Sequence, residues 1–186
     1  MTSVQPQRLD KTLLGVTAVV AAESMFFVAV FMAWFYLRAN APGFVPPIEK
    51  QPSIALPLIN TAIAVLSAIT MTWALSRIRR DDRRGLQAGL AVTITLGLLF
   101  MGLQSVEFAR LGLVVSSGSY ATMFIAILVF HVLRVFIGVG LMALALARAV
   151  MGHFSAEHHI AITGTAIYWY FITAVWLVVL YLLFLV

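Results

Sequence analysis

The sequence predicts an all-α integral membrane protein, a polytopic bundle of five transmembrane helices. Three observations carry that expectation. The chain is 62% hydrophobic and only 10% charged over 186 residues, a balance outside the range of soluble domains. Its apolar residues fall in long continuous runs and do not alternate, which suits helices and not barrel strands. Its charges collect in the connectors between runs. The formal net charge of +5 therefore reads as basic flanks of membrane spans, and no nucleic-acid partner is expected. With no cysteine, a disulfide frame, a thiolate metal site and a lipidated cysteine are excluded. The first apolar run is too long for a cleavable signal and has no small-residue cleavage site after it, so none is expected.

The chain reads as a single membrane domain over 1–186, with spans at about 13–37, 54–76, 86–108, 119–149 and 162–186. Residues 1–11 are a polar tail. After the first span, Pro42, Gly43, Pro46, Pro47 and Pro52 break any helix and make 39–53 a loop. The second span carries Pro57 in its first turn, where a missing N–H does little harm. The connector R-I-R-R-D-D-R-R over 77–84 is compact and charged. The third span shows Gly85, Gly89, Thr93 and Gly97 four apart, a smooth stripe that lets another backbone come close. It reads as a packing seam within the bundle, the alternative being a contact face to another subunit. A short turn region over 110–118 ends in S-S-G. The fourth span is about 46 Å long at ~1.5 Å per residue, more than the ~30 Å hydrocarbon core, so it tilts or projects. M-G-H-F-S-A-E-H-H over 151–159 leads to the fifth.

Five spans place the termini on opposite sides. With the N-terminus in the cytoplasm (or matrix), the inner segments hold Arg8, Lys11, Arg77, Arg79, Arg80, Arg83, Arg84 and Arg148; the outer ones hold Arg38, Lys50 and Arg110. That bias puts the N-terminus inside and Val186 outside. No internal repeat is visible, which disfavours a transporter built from two halves. Trp34, Tyr36, Trp73, Tyr168 and Trp169 lie toward span ends and read as anchors in the headgroup zone.

Ionisable groups at membrane depth are costly and need partners. Glu23 lies about 15 Å along its helix from Leu13, half the hydrocarbon core. Arg134 is near the middle of the fourth span. Equal depth and opposite charge suggest a buried Glu23–Arg134 pair, which relieves much of the ~2.5–3.5 kcal/mol that an unpaired central arginine costs. His131, a turn earlier, completes a candidate charge network by bonding the same carboxylate or a lipid phosphate. Two other states stay open to Glu23: neutral and protonated, or facing a water-filled cavity. Near the outer end of the third span, Glu107 and Arg110 read as an interfacial salt bridge, with Gln104 able to reach another helix. His153, His158 and His159 in a connector are too few for a metal site. Only His131 is at depth, so an axial histidine pair for heme is not expected within this chain. No nucleophile motif, phosphate loop or carboxylate dyad is present, and no catalytic residue is expected.

These motifs together resemble one family. The first span has Glu23 followed by M-F-F at 25–27 and A-W-F-Y-L-R at 33–38. L-P-L-I-N-T follows at 56–61, with Ser67, Thr70 and Trp73 after it. Gly97, Phe100, Gln104 and Glu107 make G-x-x-F-x-x-x-Q-x-x-E. Gly118-Ser119 opens the fourth span, and Y-W-x-F at 168–171 with Val175-Trp176-Leu177 closes the chain. Five such items in order resemble cytochrome c oxidase subunit III, in the short five-helix bacterial form of that heme–copper oxidase subunit. Glu23 falls on the family's membrane carboxylate. The departures are specific: Leu128 and Val129 stand where the family has Thr-Gly, Arg134 replaces a second histidine, and Tyr170 and Thr173 replace a histidine and an aspartate. Arg134 supplies permanently the charge that a histidine carries only when protonated.

The resemblance implies a multi-pass subunit of a bacterial inner (plasma) membrane, without redox centres of its own. Hemes and copper belong to partner subunits I and II, subunit I being the main contact, and a respiratory supercomplex is a further implied assembly. It implies bound phospholipid, held in a cleft between the first two helices and the rest, and support for proton uptake and turnover. Candidate lipid-binding residues are Arg38, Trp34, Trp73, Arg77 and Arg80, an exposed arginine being worth ~1 kcal/mol toward an anionic headgroup. Two other classes compete: a subunit III-like accessory chain of a quinol oxidase or nitric oxide reductase, and an independent channel or transporter. The channel needs a chain of polar groups, which a lone pair among apolar neighbours does not supply.

Overall fold

The computed structural model describes residues 11–44, 54–112 and 117–185. They form five helices long and apolar enough to cross a membrane: α1 (Lys11–Asn40), α2 (Ala55–Ile78), α3 (Arg83–Leu111), α4 (Ser119–Val150) and α5 (Ile160–Leu180), the last continued by a π-helical turn, Tyr181–Leu185. No strand occurs among the described residues. Helix starts lie earlier than the sequence suggests in α1 and α3, where Lys11 and Arg83 already belong to the helix. Arg8, Pro46, Pro47, Lys50, Pro52 and Val186 lie outside the described residues.

The turns follow local chemistry. Asp82 caps α3 by accepting from the Gly85 N–H at 2.8 Å, which satisfies one of the orphan donors of the first turn. Its other oxygen pairs with Arg77 at 3.5 Å. Asp81 sits at φ 59°, a left-handed conformation that aspartate tolerates better than most residues. Gly112, at φ 52°, closes α3 with its N–H on the Phe108 carbonyl at 3.4 Å, a left-handed cap that glycine takes without strain. At the arginine-rich end, Asp81 Oδ1 accepts from the Ala156 N–H at 3.1 Å and Gln87 donates to the Ala149 carbonyl at 3.1 Å. The α2–α3 turn is thereby tied to the α4–α5 connector.

Inside lipid, helices gain little from burying apolar surface and associate through close packing and polar bonds. The α3 stripe does this. Gly89 lies against Ala74 and Trp73 of α2, and Gly97 against Val139 of α4 and Trp169 of α5. Thr93, between them, is fully buried and shares a 2.9 Å hydrogen bond with Thr70. The stripe is an internal seam. Trp169 lies against Gly97 and Gly138 and donates through Nε1 to Ser67 Oγ of α2 at 3.1 Å. Trp176 donates likewise to Thr61 Oγ1 at 3.0 Å.

Three of the five aromatics expected in the headgroup zone are therefore core residues. Trp34 is 2% exposed, Tyr168 5% and Trp169 4%; each turns inward and fills a gap between helices, and only Tyr36 and Trp73 remain on the surface. The cleft expected between the first two helices and the rest is not the arrangement found. α2 packs on α3 and α5, and α1 packs separately on α5 and α4, because the small-residue seam of α3 draws α2 to it.

Candidate functional site

The most distinctive polar constellation joins α1 to α4. Arg134 donates through Nε to Glu23 Oε2, and through Nη1 to the Phe130 carbonyl one turn back at 3.0 Å. Helical spacing explains the surroundings. Glu23, Phe26 and Phe27 share one face of α1 at i, i+3 and i+4, and Phe130 and Arg134 share one face of α4. The guanidinium carbon lies 4.4 Å from the Phe26 ring centroid, 4.9 Å from Phe27 and 5.7 Å from Phe130. Phe26 and Phe130 meet edge to face at 5.0 Å.

The side chain of Arg134 is 10% exposed and that of Glu23 27%. Charge neutralisation, one backbone acceptor and three aromatic faces offset the cost of holding a cation at this depth. The geometry suits a closed clasp between two helices. Among the described residues no other side chain hydrogen-bonds to Glu23 or Arg134.

His131 does not join the pair. It is buried against Phe100 and Trp176, with ring centroids 5.9 and 5.2 Å away, and neither ring nitrogen has a hydrogen-bond partner among the described residues. Three residues along a helix leave it about 60° around the axis from Arg134. That is enough to turn one side chain toward α1 and the other toward α3 and α5.

The outer polar set is also rearranged. Gln104 and Glu107 are 2% and 3% exposed, so both belong to the interior and not to a wet interface. Gln104 does reach another helix: its Oε1 accepts from Asn60 Nδ2 of α2 at 3.1 Å. Arg110 is exposed and makes no ion pair with Glu107; the ion pairs among the described residues are Arg77–Asp82 and Arg134–Glu23. Three residues apart, the two side chains differ by about 60° around the helix axis, so that one turns into the bundle and the other out of it.

Of the lipid candidates, Arg38 and Arg80 are exposed. Trp73 is 40% exposed, with the Arg77 guanidinium 5.0 Å from its ring. Trp34 is buried against Phe44 and Tyr120. Asn60, Thr61, Ser67 and Tyr170 were not singled out as functional by their positions, yet each bonds across helices, Tyr170 to Thr72 at 2.9 Å. The available signal was simply a polar side chain inside an apolar span. Among the described residues no group of three or more His, Cys, Asp or Glu is placed to hold a metal ion.

Known proteins resemble this chain along most of its length. The family model for cytochrome c oxidase subunit III matches residues 7–186. Cytochrome c oxidase subunit 3 of Cyprinus carpio is 36% identical over 170 residues, covering 88% of this chain and 65% of the relative. The subunit 3 proteins of Scyliorhinus canicula and Neurospora crassa are 35% and 34% identical over 170 residues. The chain thus spans about two thirds of the length of these relatives, 65% for the first two and 63% for the last. With motifs, helix order and family match in agreement, the chain belongs to the cytochrome c oxidase subunit III family.

Proposed function

We propose that this chain is a non-catalytic, multi-pass subunit III of a heme–copper terminal oxidase in aerobic respiration. It braces subunit I, contacts subunit II, holds phospholipid and supports proton uptake and turnover, while hemes and copper reside in the partner subunits. The observation that carries the reading is the Glu23–Arg134 pair. The family's membrane carboxylate is engaged by a permanent cation within an aromatic shell, a scaffold contact and not an open relay. The orientation proposed is N-terminus inward, which puts Arg77, Arg79, Arg80, Arg83, Arg84 and Arg148 on the inner side. There Arg77 and Arg80, beside Trp73, meet anionic headgroups, and Arg38 does so at the opposite surface. The membrane proposed is a bacterial plasma membrane, and the assembly extends to a respiratory supercomplex.

A second reading is kept because Arg134, Tyr170 and Thr173 depart from the family pattern: an accessory subunit of a quinol oxidase or nitric oxide reductase. Purifying the tagged chain in mild detergent and recording the heme spectrum of what accompanies it decides between them. An a-type spectrum with oxygen uptake supports the first. A b-type spectrum with nitric oxide turnover supports the second. A heme-free homo-oligomer overturns both and favours a channel or transporter.

A further inference from the structure

We propose that the bundle interior binds one water molecule at mid-membrane, hydrogen-bonded to a ring nitrogen of His131 and to the hydroxyl oxygen of Ser67 or Thr173. The site is a cavity of about 20 Å³ where α2, α3, α4 and α5 meet, and its walls include Ala64, Ser67, Phe100, His131, Thr173 and Trp176. It is separate from the Glu23–Arg134 clasp, and the inference does not depend on the assignment to an oxidase.

Size limits the occupant. The cavity exceeds the ~10–15 Å³ in which a single water fits and leaves no room for an acyl chain or a side chain. Ser67, Phe100, His131 and Trp176 are each at most 4% exposed, so these walls close the space off from the surrounding lipid.

Polarity selects water. A neutral imidazole carries one donor and one acceptor. Both ring nitrogens of His131 are buried, and neither has a partner among the described residues, in a span that bulk water does not reach. The neighbouring rings of Phe100 and Trp176 offer no lone pair, and the Trp176 N–H is already given to Thr61. Spare acceptors stand elsewhere on the cavity wall. Ser67 Oγ donates to the Ala64 carbonyl at 2.7 Å and accepts from Trp169 Nε1 at 3.1 Å, which uses one of its two lone pairs. Thr173 Oγ1 donates to the Trp169 carbonyl at 3.0 Å and accepts nothing from the described residues. Water both donates and accepts, so it serves either tautomer of His131 while donating to Ser67 or Thr173. An apolar guest would leave these groups unmet. An ion would bring a charge to walls that carry none to answer it.

The place of the cavity in the bundle gives the water a structural task. Side-chain hydrogen bonds among the described residues tie α2 to α3 and α5, and α4 to α1. Gln87 adds a bond from α3 to the far end of α4. None joins α4 to α2 or α5. The water supplies that link at the level of Gly97, another wall residue, which is the midpoint of α3. In lipid, where apolar burial contributes little, such a polar tie helps fix how α4 is rotated against its neighbours.

The test is X-ray radiolytic footprinting of the chain in its native complex, reconstituted in nanodiscs. Radiolysis of a bound water releases a hydroxyl radical in place, which oxidises adjacent side chains however deeply they are buried. Peptide mass spectrometry then compares three tryptophans of like burial, Trp169 at 4%, Trp176 at 0% and Trp34 at 2%. We expect Trp169 and Trp176, both on the cavity wall, to be oxidised several-fold more than Trp34. His131→Leu should remove that excess, and His131→Gln, which keeps a donor and an acceptor, should retain it. Ala64→Val, which fills the cavity, should remove it as well. Equal oxidation of the three tryptophans would overturn the proposal, and so would an excess that survives His131→Leu. A map of the intact complex sharp enough to show ordered waters decides the matter even if the variants do not fold. Density within ~3.2 Å of a His131 ring nitrogen supports the site, and none there overturns it.

Discussion

The indole N–H of Trp169 on α5 meets the hydroxyl of Ser67 on α2 at 3.1 Å, while its six-membered ring lies against Gly97 of α3 and Gly138 of α4. One side chain thus touches three other helices, and its position depends on the absence of a Cβ at two glycines. The contact is both steric and polar, and the two parts can be separated by substitution.

The polar part is measured by a double-mutant cycle. Ser67→Ala and Trp169→Phe should each lower stability, and their coupling should be about 0.6–1 kcal/mol, the range for interhelical hydrogen bonds in membranes. Reversible unfolding in mixed micelles reads it. A coupling near zero would show that the bond contributes nothing beyond packing.

The steric part is tested on the stripe. An added Cβ would lie 2.6 Å from Ala74 Cβ at Gly89 and 2.9 Å from Val139 Cγ2 at Gly97. Gly89→Ala and Gly97→Ala should each cost about 1–3 kcal/mol through overpacking. Gly102 and Gly140, inside α3 and α4, have open space at the corresponding point, so Gly102→Ala and Gly140→Ala should each add about 0.4–1 kcal/mol and raise the unfolding midpoint, not lower it.

The clasp between α1 and α4 predicts a non-additive pair. Arg134→Leu leaves the Glu23 carboxylate without its partner and should cost about 2–4 kcal/mol, less than for a fully buried charge because Glu23 keeps 27% of its side chain exposed. The double variant Glu23→Leu/Arg134→Leu should recover most of that loss. Limited proteolysis of α1 and thermal unfolding follow the effect. If single and double variants lose stability equally, the charges are not coupled.

Tryptophan position predicts a contrast between substitutions of similar chemistry. Trp34 is 2% exposed and packs on Phe44 and Tyr120, so Trp34→Ala should cost about 3–5 kcal/mol. Tyr36, two residues on, is 68% exposed, and Tyr36→Ala should stay within about 0.5 kcal/mol. Equal losses would place both rings in the same environment, contrary to the fold.

Headgroup binding predicts a charge effect at the arginine-rich end. Arg80→Glu should weaken retention of anionic lipid by about 1 kcal/mol or more, and high salt should reduce the difference. Native mass spectrometry with phosphatidylglycerol added back to delipidated protein measures it. Unchanged retention would remove Arg80 from the lipid site.

Much of this protein was legible in one dimension. A run such as 119–149 must cross a membrane because its hydropathy leaves it nowhere else to go, and Pro57 marks a helix start because of what its own ring forbids. Glu23 and Arg134 could be matched from sequence alone, since depth is proportional to residue number and a lone charge in hydrocarbon demands a partner. What stayed hidden was rotation about each helix axis. Spacing alone groups His131 with Arg134, gives Glu107 to Arg110 and sends Trp34 and Trp169 to the headgroups, each an error of direction and not of depth. The order of packing was hidden as well, with α2 on α3 and α1 apart from it. In water, the contrast between an apolar and a polar face would have fixed those rotations. In a bilayer every face is apolar, so they are decided only by fit: where a glycine leaves room, where a serine accepts an indole, and where three phenylalanines close over a guanidinium. Those conditions are met jointly by distant residues, so the composition and spacing of one span cannot specify them.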